Sequence, residues 1–231
     1  NYSAPPFLID TVHLDVNLHP TETRVRARLK MRRNPVSSAK TAPLVLDGED
    51  IKLVSLAIDR RTLEKSEYTV TSANLTIAKA PAEFTLDIVT TCNPTANTQL
   101  SGLYLSKGIY CTQCEAQGFR RITYYMDRPD VMSQFHVTIE ADKKEFPILL
   151  SNGNRISTTD LSQGRHQAIW EDPFKKPAYL FALVAGDLEL ARQHCELGLA
   201  SSPATHIKYQ LLLWRAIVEH RLGNNQLAKD C

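Results

Sequence analysis

Apolar and polar residues alternate with a period of two along the first third of the chain. From residue 24 to residue 32 the alternation is strict: Val25, Ala27, Leu29 and Met31 fall on one face, and Arg24, Arg26, Arg28, Lys30 and Arg32 on the other. Residues 9–18 alternate in the same way, with one slip at Thr11. A period of two with one apolar face is typical of a half-buried antiparallel strand.

Short apolar segments continue in this manner to about residue 185. We predict further strands at residues 43–46, 51–58, 68–70, 74–77, 84–91, 135–141, 148–150, 166–171 and 178–185. Turn sequences such as Asp47-Gly48 and Asn93-Pro94 separate them. Proline at the first turn predicts a short helix at residues 129–132. The spacing favours a mainly β fold, an antiparallel sandwich.

The pattern changes to a helical period after Asp187. Apolar residues recur every three or four positions from Leu188 to Leu199 and again across residues 206–222. The segments beginning at Gly186 and Gly223 echo each other, which resembles tetratricopeptide repeats loosely, although such repeats normally occur in groups of at least three. We therefore predict a β domain at residues 1–187 and a small C-terminal α-helical hairpin at residues 188–231.

Composition narrows the class of protein. The 231 residues are 43% hydrophobic and carry a net charge of +2, which predicts a packed core and gives no electrostatic reason to expect nucleic acid as a partner. No apolar run approaches the roughly 20 residues that a membrane span needs, so no membrane association is expected. No export signal is visible, and the five cysteines have no framework spacing; a cytoplasmic protein with reduced thiols is the expectation.

One polar segment, residues 111–121, lies between the predicted strands and reads Cys-Thr-Gln-Cys-Glu-Ala-Gln-Gly-Phe-Arg-Arg. It is too polar for a core strand, and polar residues at this density indicate a binding or catalytic loop. Cys111 and Cys114 form a C-x-x-C pair. A structural zinc site requires a second such pair and a redox pair requires a βαβ setting, and neither is present. Incidental thiols are the favoured interpretation.

No other motif completes an active site. The basic face of residues 24–33 has no interleaved aromatics for base stacking, and acidic residues elsewhere (Asp15, Glu22, Asp47, Glu49, Asp50) can offset it, so a solvated sheet face is favoured. The seven histidines form no H-E-x-x-H, and the chain contains no G-x-S-x-G and no phosphate-binding glycine loop.

Several long motifs resemble the N-terminal domain of the bacterial aminopeptidase N family, zinc aminopeptidases of the gluzincin class. The resemblance runs nearly unbroken from Tyr2 to Asp187. The motifs that carry it are Leu100-Ser101-Gly102-Leu103-Tyr104, Cys111-Thr112-Gln113-Cys114-Glu115, Gly118-Phe119-Arg120-Arg121-Ile122-Thr123-Tyr124-Tyr125, Asp127-Arg128-Pro129-Asp130-Val131, Trp170-Glu171-Asp172-Pro173-Phe174 and Tyr179-Leu180-Phe181-Ala182-Leu183-Val184-Ala185-Gly186-Asp187.

The resemblance implies a saddle-shaped β domain that packs against a thermolysin-like catalytic domain. It implies that the T-Q-C-E loop reaches into the cleft of that neighbour, that Glu115 binds the free α-ammonium of a peptide, and that Gln113 lines the same pocket. The family's catalytic motifs, G-A-M-E-N and H-E-x-x-H, are absent from this sequence. Catalytic and metal-binding residues are therefore predicted to be none in this chain, and zinc is expected in the absent catalytic domain.

Three functional hypotheses follow from these observations. The favoured one is a substrate-anchoring domain of a zinc aminopeptidase, inactive alone, whose partners are peptide N-termini and the catalytic domain. The alternative is a non-catalytic protein-interaction module in which the helical tail docks a partner. A third is that the chain complements a separately encoded catalytic half.

Overall fold

The computed structural model describes residues 2–187, and this part of the chain is almost entirely β-structure. Its strands are β1 (Phe7–Asn17), β2 (Thr23–Arg33), β3 (Leu44–Asp47), β4 (Lys52–Ile58), β5 (Arg61–Thr62), β6 (Tyr68–Val70), β7 (Asn74–Ile77), β8 (Glu83–Cys92), β9 (Gly102–Ser106), β10 (Ile109–Gln113), β11 (Met132–Asp142), β12 (Ile148–Ser151), β13 (Asn154–Asp160), β14 (Arg165–Pro177) and β15 (Leu183–Gly186). Single 3₁₀ turns at Phe119–Arg121 and Ala178–Leu180 interrupt them.

Three sheets share one core. The large sheet has the order β13-β14-β11-β1-β2-β8-β4-β5, a second sheet has the order β12-β15-β10-β9, and a third has the order β3-β7-β6. Buried residues of all three sheets, such as Val12, Leu44 and Tyr110, belong to a single hydrophobic cluster. This sandwich-like arrangement confirms the predicted mainly β class; the saddle shape stays a prediction.

Strand β1 lies in the middle of the large sheet. It pairs antiparallel with β2, where Val12 faces Leu29, and parallel with β11, where Val12 faces Phe135. The prediction of a wholly antiparallel body is therefore wrong at this pair, and the large sheet is mixed. Alternation of residue types identifies the buried face of a strand but carries no information about the direction of its neighbour.

The strict alternation of β2 is confirmed as a half-buried pattern. Val25, Ala27, Leu29 and Met31 are fully buried, and the basic residues between them, Arg26, Arg28 and Lys30, are exposed. Strand β11 continues the same buried face with Phe135, Val137 and Ile139. Burial of aliphatic side chains at this density contributes about 25 cal/mol per Å² of apolar surface removed from water, which supplies the main driving force for the sheet.

Most predicted strands appear within three residues of their expected ends, but the strand predicted at residues 166–171 continues to Pro177, and there are further exceptions. The predicted helix at residues 129–132 is wrong: Val131 N–H donates to Arg128 O in a single turn (3.2 Å), and Met132 already begins β11. The predicted strand at residues 178–185 begins instead with the 3₁₀ turn, and only Leu183–Gly186 is extended. Strands β5, β9, β10 and β13 were not predicted.

The predicted helical hairpin, and with it the boundary at residue 187 and the likeness to tetratricopeptide repeats, falls on residues 188–231, which lie outside the described residues. Within residues 2–187, no helix is long and apolar enough to cross a membrane.

Candidate functional site

Strand β10 delivers Gln113 to the start of the polar loop. β10 lies between β9 and β15, and its side chains alternate: Tyr110 and Thr112 are buried, whereas Gln113 is exposed. Residues 111–121 were predicted to lie between the strands as too polar for a core strand, and this is wrong for residues 111–113, which belong to β10. β9 pairs with β10 along its whole length and β15 pairs with Tyr110 and Cys111, so the backbone is held by the sheet while the Gln113 side chain points to solvent.

The loop itself is one tight reversal, residues 114–118. Gly118 N–H donates to Cys114 O (2.8 Å), which closes the loop on itself. The peptide between Glu115 and Ala116 is cis. A Cβ atom at Gly118 would lie 2.3 Å from Gln113 O, so only glycine lets the returning chain pass this close to the end of β10.

Phe119 fixes the chain after the loop. Its ring is fully buried and makes edge contacts with the rings of Tyr125 (centroids 4.8 Å apart), Phe181 (5.2 Å) and Phe135 (5.9 Å). Edge-to-face pairs at these distances contribute about 0.5–1.5 kcal/mol each beyond the burial of area. The loop is thus tied to the core one residue after it ends.

Arg120 ties the same segment to the acidic side chains beneath it. Its Nε and its backbone N–H both donate to the Asp127 carboxylate (3.1 and 3.2 Å), and its guanidinium lies 3.7 Å from the carboxylates of Asp47 and Glu49. The Asp127 side chain is only 2% exposed. Burial raises the pKa of this carboxyl, and the bonds to Arg120 oppose that rise.

Arg121 makes the second half of this network. Its guanidinium contacts the carboxylate of Asp50 and donates to Glu49 (2.8 Å). The two arginines of the motif are therefore structural ties between the loop and the segment that follows β3. Nothing in the spacing of the sequence links residues 47–50 to residues 120–127, so this network was not predicted.

Gln113 and Glu115 are placed together at the exposed end of β10. Gln113 Nε2 donates to the backbone oxygen of Glu115 (3.4 Å), and both side chains are exposed. Within residues 2–187 the Glu115 carboxylate has no ion-pair partner. The site therefore presents an unpaired carboxylate and a neighbouring amide on a loop that is fixed at both ends, and such groups can bind a cationic ligand.

The two cysteines that flank Gln113 differ in their surroundings. Cys114 is buried and Cys111 is half-buried. Burial raises the pKa of the Cys114 thiol well above its usual range, which suppresses the reactive thiolate. No group of three or more histidine, cysteine or carboxylate side chains among residues 2–187 could hold a metal ion.

The basic face of β2 is neutralised by its neighbours in the sheet. Asp87 of β8 accepts from Arg26 (3.2 Å) and Arg28 (3.0 Å), and Asp10 of β1 accepts from Arg32 (2.9 Å). The residues predicted to offset this face were Asp15, Glu22, Asp47, Glu49 and Asp50, and neither Asp87 nor Asp10 was among them. Cross-strand pairs on one exposed sheet face contribute little energy individually, and here they pair three of the arginines of this face with carboxylates of neighbouring strands.

Comparison with known proteins adds the family. The model of the peptidase M1 N-terminal domain matches residues 6–180. The chain belongs to the peptidase M1 N-terminal domain family. It is 55% identical over 190 residues to aminopeptidase N of Caulobacter vibrioides and 48% identical over 194 residues to aminopeptidase N of Escherichia coli. These matches cover 82% and 83% of this chain but only 22% of each relative.

Solved structures agree with this assignment to the M1 family. The structure of Legionella pneumophila aminopeptidase A in complex with aspartic acid matches with a TM-score of 0.77 at 36% identity, covering 81% of this chain and 22% of that one. An M1 zinc metallopeptidase of Deinococcus radiodurans matches with a TM-score of 0.65 at 14% identity over 80% of this chain and 43% of that one, which shows the shared fold. The predicted resemblance to the N-terminal domain is confirmed.

Proposed function

We propose that this chain is the substrate-anchoring part of a zinc aminopeptidase, an enzyme that removes N-terminal amino acids from peptides. In this proposal Glu115 binds the α-ammonium group of the peptide and Gln113 lines the pocket for the N-terminal residue. The observation that carries it is the Glu115 carboxylate, which has no ion-pair partner among residues 2–187 and lies on a loop fixed by Gly118 and Phe119, in a chain of the M1 N-terminal family.

The strength of this contact depends on its surroundings. A solvent-exposed carboxylate gains at most about 1 kcal/mol from an ammonium, because water screens the pair. The same pair, when a second protein surface excludes water, forms a short charge-assisted hydrogen bond that is roughly twice as strong as a neutral one. Strong binding of the ammonium group by this loop therefore requires the surface of a catalytic domain to exclude water from the pair.

The same geometry explains a preference for free N-termini. A peptide with an acylated N-terminus brings no positive charge, and its binding would leave the Glu115 carboxylate desolvated and unpaired. The cost of an unpaired buried charge discriminates more strongly than the loss of an apolar contact. An aminopeptidase needs this discrimination, because it must distinguish the end of a chain from its interior.

The residues of this chain do not fit a catalytic zinc. Zinc enzymes of this chemistry use three protein ligands and an activated water, the described residues hold no such cluster, and the sequence has no H-E-x-x-H. We place zinc and the general base in the catalytic domain. The purified chain supplied with zinc should therefore hydrolyse no aminoacyl-anilide, and turnover that a chelator abolishes would contradict the proposal.

A chimera tests the role of Glu115 directly. Residues 1–187 replace the equivalent part of the Caulobacter aminopeptidase N, and kcat/KM is measured for an aminoacyl-anilide. Removing one partner of a buried charge pair costs about 2–5 kcal/mol. Glu115→Gln should therefore lower kcat/KM by about 30-fold or more, since about 1.4 kcal/mol corresponds to a factor of ten.

Glu22→Gln is the matched control, because Glu22 is an exposed glutamate on the turn between β1 and β2. It should leave kcat/KM unchanged. Gln113→Ala should raise KM with a smaller effect on kcat. If Glu115→Gln behaves like Glu22→Gln in an active chimera, Glu115 does not bind the ammonium.

A further inference from the structure

A groove of about 760 Å³ lies between the large sheet and the three-stranded sheet, and Gln113 and Glu115 do not line it. Its lining comes from the segment leading into β4, from β6 and its flanking turns, and from Tyr124. The ring of Tyr124 lies directly against Gly48, where a Cβ atom would approach its Cε1 to 2.2 Å. The groove therefore has a fixed aromatic wall.

Open strand edges border this groove. β6 pairs with β7 on one side, and no strand within residues 2–187 pairs with its other edge. β4 pairs with β8 along its length, but β5 covers only Ala57 and Ile58, which leaves the first half of β4 uncovered. An unpaired edge presents backbone N–H and C=O groups that can accept an extended chain as an additional strand.

The charged side chains that line the groove favour an acidic peptide segment as its ligand. Lys52 and Lys65 line the groove, and neither has an ion-pair partner among the described residues. The carboxylate of Asp50, which also lines the groove, is bound to Arg121. Two free ammonium groups on one groove attract an acidic segment, and they disfavour the pairing of two copies of this chain through the same edges.

The groove side chains between Lys52 and Lys65 can contact apolar residues at every second position of an added strand. Tyr68, Val70 and Leu53 line the groove together with Tyr124, and Val70 is 43% exposed. In an added strand, every second side chain points to the same face, so pockets for alternate residues give the specificity. The floor of the groove is apolar and its flanking side chains are cationic.

We propose that this groove binds an extended acidic peptide segment, with its backbone paired to the edge of β6 and its carboxylates paired to Lys52 and Lys65. The segment is recognised along its length and not at its N-terminus. This site is separate from the Glu115 loop, and its ligand needs no free ammonium.

The test uses the full 231-residue chain and the capped peptide acetyl-Glu-Val-Thr-Val-Glu-amide. Acetylation removes the ammonium, so binding cannot come from Glu115. Amide NMR shifts should change at residues 52–53 and 68–71 as the peptide is added. The double variant Lys52→Glu, Lys65→Glu should weaken binding at least tenfold, and the swapped peptide acetyl-Lys-Val-Thr-Val-Lys-amide should bind that variant better than it binds the parent.

Lys144→Glu is the matched control, since Lys144 is an exposed lysine on the turn after β11. Strand pairing is tested with two peptides that are N-methylated at alternate residues. One peptide loses the N–H groups along one edge of the extended chain, and the other loses those along the opposite edge. At least one of them should lose binding, because methylation removes the N–H groups that the edge of β6 would accept.

Three outcomes would overturn the proposal. One is an affinity for the acidic peptide that does not change in the double variant. Another is unimpaired binding of both N-methylated peptides, which would mean that no strand is added. The third is a different occupant: inorganic phosphate that shifts the same amides at lower concentration than the peptide, or a dimer of this chain that the lysine variants alter.

Discussion

The hydroxyl of Thr112 bonds to both backbone groups of Leu183: Leu183 N–H donates to Thr112 Oγ1 (2.8 Å), and Thr112 Oγ1 donates to Leu183 O (3.3 Å). The backbone pairing of β10 with β15 covers Tyr110 and Cys111 only. The hydroxyl of Thr112 thus takes the place of backbone pairing between β10 and β15 at the residue before Gln113, where the two strands separate. The direction of Gln113 is set by this buried pair of bonds.

Thr112→Val should destabilise the domain by about 1–3 kcal/mol, because it keeps the shape of the side chain but leaves a buried N–H and a buried C=O of Leu183 unpaired. Urea unfolding followed by tryptophan fluorescence measures the change. Thr158→Val, at an exposed position of β13, should change the stability by less than about 0.5 kcal/mol. Equal effects of the two substitutions would show that the hydroxyl of Thr112 has no special role.

Gly118→Ala should displace the loop, although alanine can adopt the backbone conformation of residue 118, where φ is −90°. The new methyl group would lie 2.3 Å from Gln113 O, a backbone atom that cannot rotate away. Overpacking of this kind costs about 1–3 kcal/mol. Unfolding in urea gives the cost, and amide NMR shifts at residues 113–119 report the displacement.

Gly108→Ala supplies the comparison, because no atom lies within 4 Å of its Cβ position and its φ is +79°. Its cost should arise from backbone strain alone, with no shift at Gln113 or Glu115. Shifts confined to residue 118 itself in the Gly118 variant would mean that the loop tolerates the methyl group.

Asp130 should make the free energy of unfolding depend on pH in the acidic range. The bond from the Arg128 guanidinium lowers the pKa of this carboxyl below its usual value, and burial acts in the opposite direction. A lowered folded-state pKa stabilises the fold above the unfolded pKa of about 4, and that contribution is lost as the pH falls through the folded value.

Asp130→Asn should therefore be less stable than the parent at pH 7, by about 1 kcal/mol or less for a partly exposed pair, and the difference should vanish near pH 2. Thermal unfolding across pH 2–7 measures it. Asp130 also accepts from the Tyr2 hydroxyl (2.9 Å), so Tyr2→Phe separates the two bonds. A gap between Asp130→Asn and the parent that persists at pH 2 would assign the effect to packing.

The imidazole ring of His13 should destabilise the fold in mild acid. It stacks on the ring of His136, with centroids 4.4 Å apart, on the neighbouring strands β1 and β11. Burial lowers the pKa of His13, with smaller contributions from His136 and Arg28, and Asp15 opposes them. A lowered histidine pKa means that the folded state disfavours the added proton, so stability should fall as the pH drops below about 6.5.

Replacing His13 with glutamine should flatten the pH dependence between pH 7 and pH 5, as measured by urea unfolding at each pH. Glu171 of β14 lies 4.0 Å from His136 Nδ1. His19→Gln is the control, because His19 lies on the turn between β1 and β2. If the free energy of unfolding changes with pH equally in the His13 and His19 variants, the stacked pair does not control this pH dependence.

Sequence periodicity predicted the parts of the fold whose strands have one apolar face. β2 and β11 are of this kind, and their buried faces follow directly from the alternation. β13 was missed because it is an edge strand with almost no apolar residues, and its single large one, Ile156, is 59% exposed. A strand held by backbone pairing alone leaves no periodic signal.

The site was predictable only as far as local sequence reaches. The resemblance selected Gln113 and Glu115, and their joint exposure at the end of β10 agrees with that choice, while their role in binding stays a proposal. The network of Arg120 with Asp127 and Glu49 depends on contacts between distant segments, which single-sequence patterns do not contain. The interpretation of the C-x-x-C residues as incidental thiols stays a prediction; Cys111 lies on β10 and is half-buried, whereas Cys114 follows the strand and is buried.

The position of β1 has a consequence for synthesis of the protein. Its parallel neighbour is β11, and a ribosome makes residues 132–142 long after residues 7–17. Until then β1 can pair with β2 on one side only, and its other edge stays open in the nascent chain. Such distant pairing slows folding and exposes the chain to aggregation. The N-terminal hairpin is therefore the segment for which we expect chaperone contact during translation.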